Sequence, residues 1–131
     1  MRETAGRLFV WGTYVVAIAV VVQFLLAGLG VFADSEFLRW HATVNGAIVG
    51  LLPLVLVLVG WLGGVPVRLR WLMAAIFGLT VLQSLLLFPY HMDARGVLRY
   101  VSGLHVVNAL FIFWVTLQLL DRTRAWAAKP A

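Results

Sequence analysis

The chain has 131 residues, of which 63% are hydrophobic and only 11% charged, with a formal net charge of +5 and no cysteine. The missing cysteines exclude disulfides, thiolate-held clusters and covalent haem attachment through a Cys-x-x-Cys-His segment. The charges fall in short clusters between long apolar runs, so the basic balance reads as membrane topology and contact with anionic lipids, not as nucleic-acid binding.

Spanning a bilayer takes about 20 apolar residues, and four segments reach that length. The first runs from Leu8 to Phe32 behind Arg2 and Arg7. Its apolar run exceeds the ~7–15 residues of a signal-peptide core, which makes it a retained helix. The second runs from Leu38 to Leu62 and contains His41, Asn45 and Pro53. Proline lacks the amide proton a helix needs, so Pro53 predicts a distortion in this span. The third covers Leu69 to Phe88, with Gln83 inside it, and the fourth covers about Val97 to Leu120, with His105 and Asn108. The connections are short. Backbone groups in lipid must be satisfied within each segment, which favours helices. The predicted fold is all-α: one polytopic membrane domain, a four-helix bundle over residues 1–131.

Orientation follows from the basic residues. Arg2, Arg7, Arg68, Arg70, Arg122, Arg124 and Lys129 fall on one side of the predicted bundle, and Arg39, Arg95 and Arg99 on the other. The positive-inside bias then places both termini in the cytoplasm of a bacterial plasma membrane. The acid Asp121 is expected to pair with its neighbour Arg122 or Arg124.

The polar residues inside the spans are paired across the two halves of the chain. Val21-Val22-Gln23-Phe24-Leu25-Leu26 precedes His41 and Asn45, and Val81-Leu82-Gln83-Ser84-Leu85-Leu86 precedes His105 and Asn108. This pattern predicts two repeated helical hairpins. At ~1.5 Å per residue, alternate antiparallel helices bring Gln23, His41, Asn45, Gln83, His105 and Asn108 to one layer near the outer face. His41 with Asn45, and His105 with Asn108, share helical faces by their i,i+4 and i,i+3 spacing. Ionisable groups within spans are rare and functional by default. Two imidazoles offered to one cavity are the ligand set of a low-spin b-type haem. The glutamines and asparagines are expected to fix the free ring nitrogens, and Arg39, Arg95 and Arg99 to meet the haem propionates at the rim. His91, in the Pro89-Tyr90-His91-Met92-Asp93 loop, reads as an ordinary loop histidine. No phosphate-binding glycine loop, nucleophile elbow or His-Glu-x-x-His helix is present.

The second expectation keeps the same helices without a cofactor. Asn, Gln and His can bond between membrane helices as packing groups, and the polar layer would then serve packing or a lipid or quinone site. A redox protein, a second copy of the chain, or a larger membrane complex is the partner class implied.

The histidines of the second and fourth spans, and Val81-Leu82-Gln83-Ser84-Leu85-Leu86 followed by a loop and Gly103-Leu104-His105, resemble one four-helix half of the heme A synthase family. That resemblance implies a haem held between His41 and His105 and, if the chain is an enzyme, a haem-dependent membrane oxidoreductase. Three residues before its first histidine that family carries a carboxylate, where this chain has Leu38. Gln23-Phe24-Leu25-Leu26-Ala27-Gly28-Leu29-Gly30-Val31-Phe32 and Leu104-His105-Val106-Val107-Asn108-Ala109 also resemble a small bacterial four-helix membrane family of unknown function.

Overall fold

The structure, a computed structural model, describes residues 1–129. It contains four long helices: α1 (Arg2–Phe32), α2 (Glu36–Leu62), α3 (Val67–His91) and α4 (Val97–Ala127). All four are long and apolar enough to cross a membrane. Only 22–28% of each apolar window is buried within the bundle, so most of the apolar surface must be covered by lipid. The chain is a multi-pass membrane protein of the all-α class. The helices start and stop alternately, so Arg2 and Ala127 lie at one end of the bundle, the proximal end. The α1–α2 and α3–α4 connections lie at the other, distal end.

The observed helices overrun the expected spans, because charged turns continue α1 back to Arg2 and α4 on to Ala127. Glu3 and Arg7, one turn apart, bond at 2.8 Å on the surface of the added turn of α1. The short helix Phe88–His91 carries α3 past Phe88.

The core is mainly apolar from the proximal end to mid-bundle, with the buried hydroxyls of Thr13, Thr116 and Thr123 among it. Phe9, Val16, Val20, Leu56, Met73, Ile76, Ile112 and Leu119 are all buried there. Membrane helices pack closely through small residues, and two glycines show how. A Cβ on Gly12 would collide with the Leu56 side chain, and one on Gly60 would lie 2.9 Å from the Phe9 ring. Towards the distal end the buried residues turn polar: Thr80, Gln83, Gln23 and Asn108.

Pro53 does distort α2, and the geometry explains how the cost is met. Residues Asn45–Leu51 wind as a π-helix, with the Leu52 amide reaching back to the Ala47 carbonyl. Pro53 has no amide proton to give the Val49 carbonyl four residues earlier. The Thr80 hydroxyl of α3 reaches that carbonyl at 3.2 Å as the longer arm of a bifurcated bond, since it has one proton to give. It is also 2.8 Å from the Ile76 carbonyl of its own helix. A Cβ on Gly50 would crowd the Asn45 carbonyl oxygen at 3.2 Å, while meeting Thr80 Cγ2 at an ordinary 3.5 Å.

Thr80→Val should therefore destabilise the bundle by about 1–2 kcal/mol, the cost of an orphaned buried carbonyl. Adding Pro53→Ala should restore much of that loss by returning an amide donor to Val49. A double-mutant cycle on unfolding in mixed micelles measures the coupling; additive effects would refute the account.

Candidate functional site

The distal polar layer is assembled from all four helices. Gln23 comes from α1, His41 and Asn45 from α2, Gln83 from α3, and His105 and Asn108 from α4. The ring centres of His41 and His105 lie 6.4 Å apart, with the rings tilted by 52°. Both imidazoles line a cavity of about 160 Å³, together with Gln23, Asn45 and Gln83. The rest of its wall is apolar: Val20, Phe24, Ala27, Val49, Val106, Ala109 and Ile112.

Each histidine is tied to the preceding helix by the same kind of bond. His41 Nδ1 lies 3.0 Å from the Gln23 carbonyl oxygen, and His105 Nδ1 lies 3.2 Å from the Gln83 carbonyl oxygen. A carbonyl oxygen can only accept, so Nδ1 carries the proton in both rings and Nε2 keeps its lone pair. A backbone carbonyl holds the ring nitrogen where a glutamine or asparagine side chain was expected to do so.

The two Nε2 atoms differ. That of His105 accepts from the Gln83 side-chain amide at 3.0 Å. Asn108 Nδ2 donates to Gln83 Oε1 and, at 2.8 Å, to the Leu79 carbonyl. His105, Gln83 and Asn108 thus form one network, with each amide oriented by the next. The α1–α2 side has no counterpart. The Gln23 side chain is 8% exposed, yet neither its amide nitrogen nor its oxygen has a hydrogen-bond partner. Asn45 stands at the first turn of the π-helix and lines the cavity without joining a network.

The expected rim residues are committed elsewhere. Arg39 pairs with Glu36 at 3.1 Å, with both side chains largely exposed. Arg99 lies over the Tyr90 ring, 5.5 Å from its centre, and Arg95 is exposed. His91 is exposed too and packs edge-on against Tyr90.

The segment carrying His41 is lightly held. Glu36–Val44 has no buried residue and leans chiefly on α1. Leu38 fills the space over Gly30. Just beyond, the π-helix supplies the irregular turn that often marks a functional hinge. No sequence signal gave this, apart from the proline that follows.

The tautomers can be checked directly. Imidazole nitrogen-15 spectra at neutral pH should show Nδ1 protonated and Nε2 bare in both His41 and His105. Gln83→Leu should move the His105 Nε2 resonance and leave that of His41 in place. Equal displacement of both would contradict the network described.

A family of unknown function (DUF6220) matches residues 23–89. The match starts at Gln23, takes in His41, Asn45 and Gln83, and stops short of His105. No curated protein and no solved structure matches the chain. With just over half of its residues matched, the chain belongs to this family of unknown function.

Proposed function

We propose that the distal layer is a haem b site that His41 and His105 would hold, serving electron transfer or haem handling near the outer face of a bacterial plasma membrane. The observation that carries this reading is the spacing of two imidazoles with matched Nδ1 anchors. An imidazole nitrogen bonds a metal at about 2.0–2.1 Å and sits ~1.1 Å from its ring centre. Two imidazoles on one metal therefore have ring centres about 6 Å apart, against the 6.4 Å observed. Anchoring of Nδ1 by a carbonyl is the usual way in which a ligating histidine has its tautomer and orientation fixed.

The donor set favours haem over a bare ion. Among the described residues no group of three His, Cys, Asp or Glu side chains could hold a metal ion. A haem brings its own equatorial nitrogens and needs only the two imidazoles. When bound, it would supply a one-electron couple whose potential the apolar wall and the axial imidazoles tune.

The protein's own residues have distinct parts in seating it. The His41 Nε2 has no hydrogen-bond partner, while that of His105 is capped by Gln83, so the Gln83 amide must turn aside before His105 can bind. The cavity has the size of one small ring; an apolar cavity of ~150 Å³ holds benzene. Seating a macrocycle therefore needs the apolar wall between the two imidazoles to widen, and the unburied Glu36–Val44 segment is the part least packed against it. The Arg39–Glu36 and Arg99–Tyr90 contacts are exposed and weak, leaving both guanidiniums free to exchange onto propionates. The shared histidine–carbonyl bond supports the reading of the two hairpins as a repeat. The resemblance to half of a heme A synthase points the same way, with Leu38 standing against its oxidative chemistry.

A second reading draws on the cavity size and the capped His105. Here the layer holds no cofactor and receives a quinone ring or simply packs. The two readings part on one measurement. Protein purified after expression with haem supplied should show a sharp Soret band that shifts on dithionite reduction, with about one haem per chain. His41→Ala and His105→Ala should each lose stoichiometric haem while still inserting in the membrane. A colourless wild-type protein would sink the haem reading and leave the quinone or packing one.

The seven basic residues at the proximal end support placing both termini in the cytoplasm. Alkaline phosphatase fused after Lys129 should be inactive in cells, and a fluorescent protein fused there should fold and fluoresce. The opposite pair of results would invert the topology.

A further inference from the structure

At the proximal end, far from the histidines, α1 and α4 enclose a cleft of about 1190 Å³. Its floor is backbone. The α2–α3 turn passes so close to α1 that a Cβ on Gly63 would lie 2.6 Å from the Gly6 amide nitrogen. The Trp126 ring closes over Gly6 from α4, 3.5 Å from where a Cβ would stand. Gly64, at φ +65°, turns the chain beneath the Arg2 guanidinium, which lies directly upon it.

The walls are cationic and aromatic. Arg2, Arg7 and Lys129 line the cleft with Trp11, Tyr14 and Trp126. Among the described residues the only carboxylate in its lining, Glu3, is already bound to Arg7. Arg124 stands at the edge, donating to the Tyr14 hydroxyl at 3.2 Å and lying 5.4 Å from the centre of that ring. This arrangement replaces the expected pairing of Arg124 with Asp121 and adds a further cation. Among the described residues, the salt bridges are Glu3–Arg7 and Glu36–Arg39. Arg2 and Lys129 thus face the cleft with no acidic partner there.

We infer that this cleft binds the headgroup of an anionic glycerophospholipid. Arginine forks and a lysine suit a phosphodiester, and Trp11, 69% exposed, marks the level of the membrane interface. Further along α1, Val15 and Ile18 stand exposed on the helical face that carries Trp11, giving acyl chains an apolar surface beside the headgroup site. A free phosphate would use the cations and leave that surface unused. This inference does not depend on haem.

Native mass spectrometry of the full chain, stripped of lipid in detergent and offered phosphatidylglycerol or phosphatidylcholine, tests it. One phosphatidylglycerol should be retained about thirtyfold more strongly than phosphatidylcholine, since each basic side chain beside an anionic headgroup is worth roughly fivefold. Arg2→Gln with Lys129→Gln should erase the preference. Both side chains are exposed, and an unchanged circular dichroism spectrum confirms that the variant folds. Arg95→Gln with Arg99→Gln, at the distal end, should keep the preference. Equal retention of the two lipids, a preference that survives the first pair of changes, or displacement of the lipid by millimolar inorganic phosphate would each overturn the assignment.

Discussion

In hydrocarbon there is no water to accept or donate a hydrogen bond, and the distal half of this bundle is organised by that constraint. Six polar side chains enter a layer with no bulk solvent to satisfy them. An unsatisfied group there costs several kcal/mol, so the helices are arranged around acceptors the backbone can spare. The Gln23 and Gln83 carbonyls take the imidazole protons, the Leu79 carbonyl takes the Asn108 amide, and the Val49 carbonyl, orphaned by Pro53, takes the Thr80 hydroxyl. Each bond crosses between helices. The polar layer therefore sets the rotation of each helix, and the mainly apolar core from Phe9 to Leu119 packs to fit it.

The two hairpins share this solution but complete it differently. In the second, Gln83 lies between His105 and Asn108, and every amide group has a partner that orients it. In the first, the π-helix begins at Asn45, where the partner of His41 was expected on the same face, and no network forms around Gln23. The amides of the second hairpin thus orient one another around His105. The other is open at its polar edge and carries the segment with the least burial. A site that must admit a ligand and then hold it needs one wall of each kind.

Much of this layout was legible in the chain. Four apolar runs gave the spans, and rise per residue placed Gln23, His41, Gln83 and His105 at one depth. Depth alone left the lateral distance open, and the fold sets the two rings 6.4 Å apart. The backbone's part was hidden. Sequence spacing describes where side chains project, so it assigned the ring nitrogens to glutamine and asparagine side chains and missed the carbonyls. It also treated Pro53 as a local kink, because nothing in the order of residues says that Thr80, on another helix, will supply the missing donor. Nor does the order of residues show that Arg39 meets Glu36 and Arg99 meets Tyr90 at the exposed rim.

The pattern of unmet hydrogen bonds bears on whether the layer is merely packing. Polar residues kept only to join helices should pair with one another, since any left over would weaken the joint they exist to make. Asn108, Gln83 and His105 meet that standard. Gln23 does not: both ends of its amide are buried and unpaired, beside an imidazole whose Nε2 is also free. Replacing Gln23 by leucine would remove that burden at little cost in volume, so for packing alone the glutamine is a poor choice. Its carbonyl would hold His41 equally well from any residue. What the side chain adds is an unpaired donor and acceptor on the wall of a cavity shared with both imidazoles.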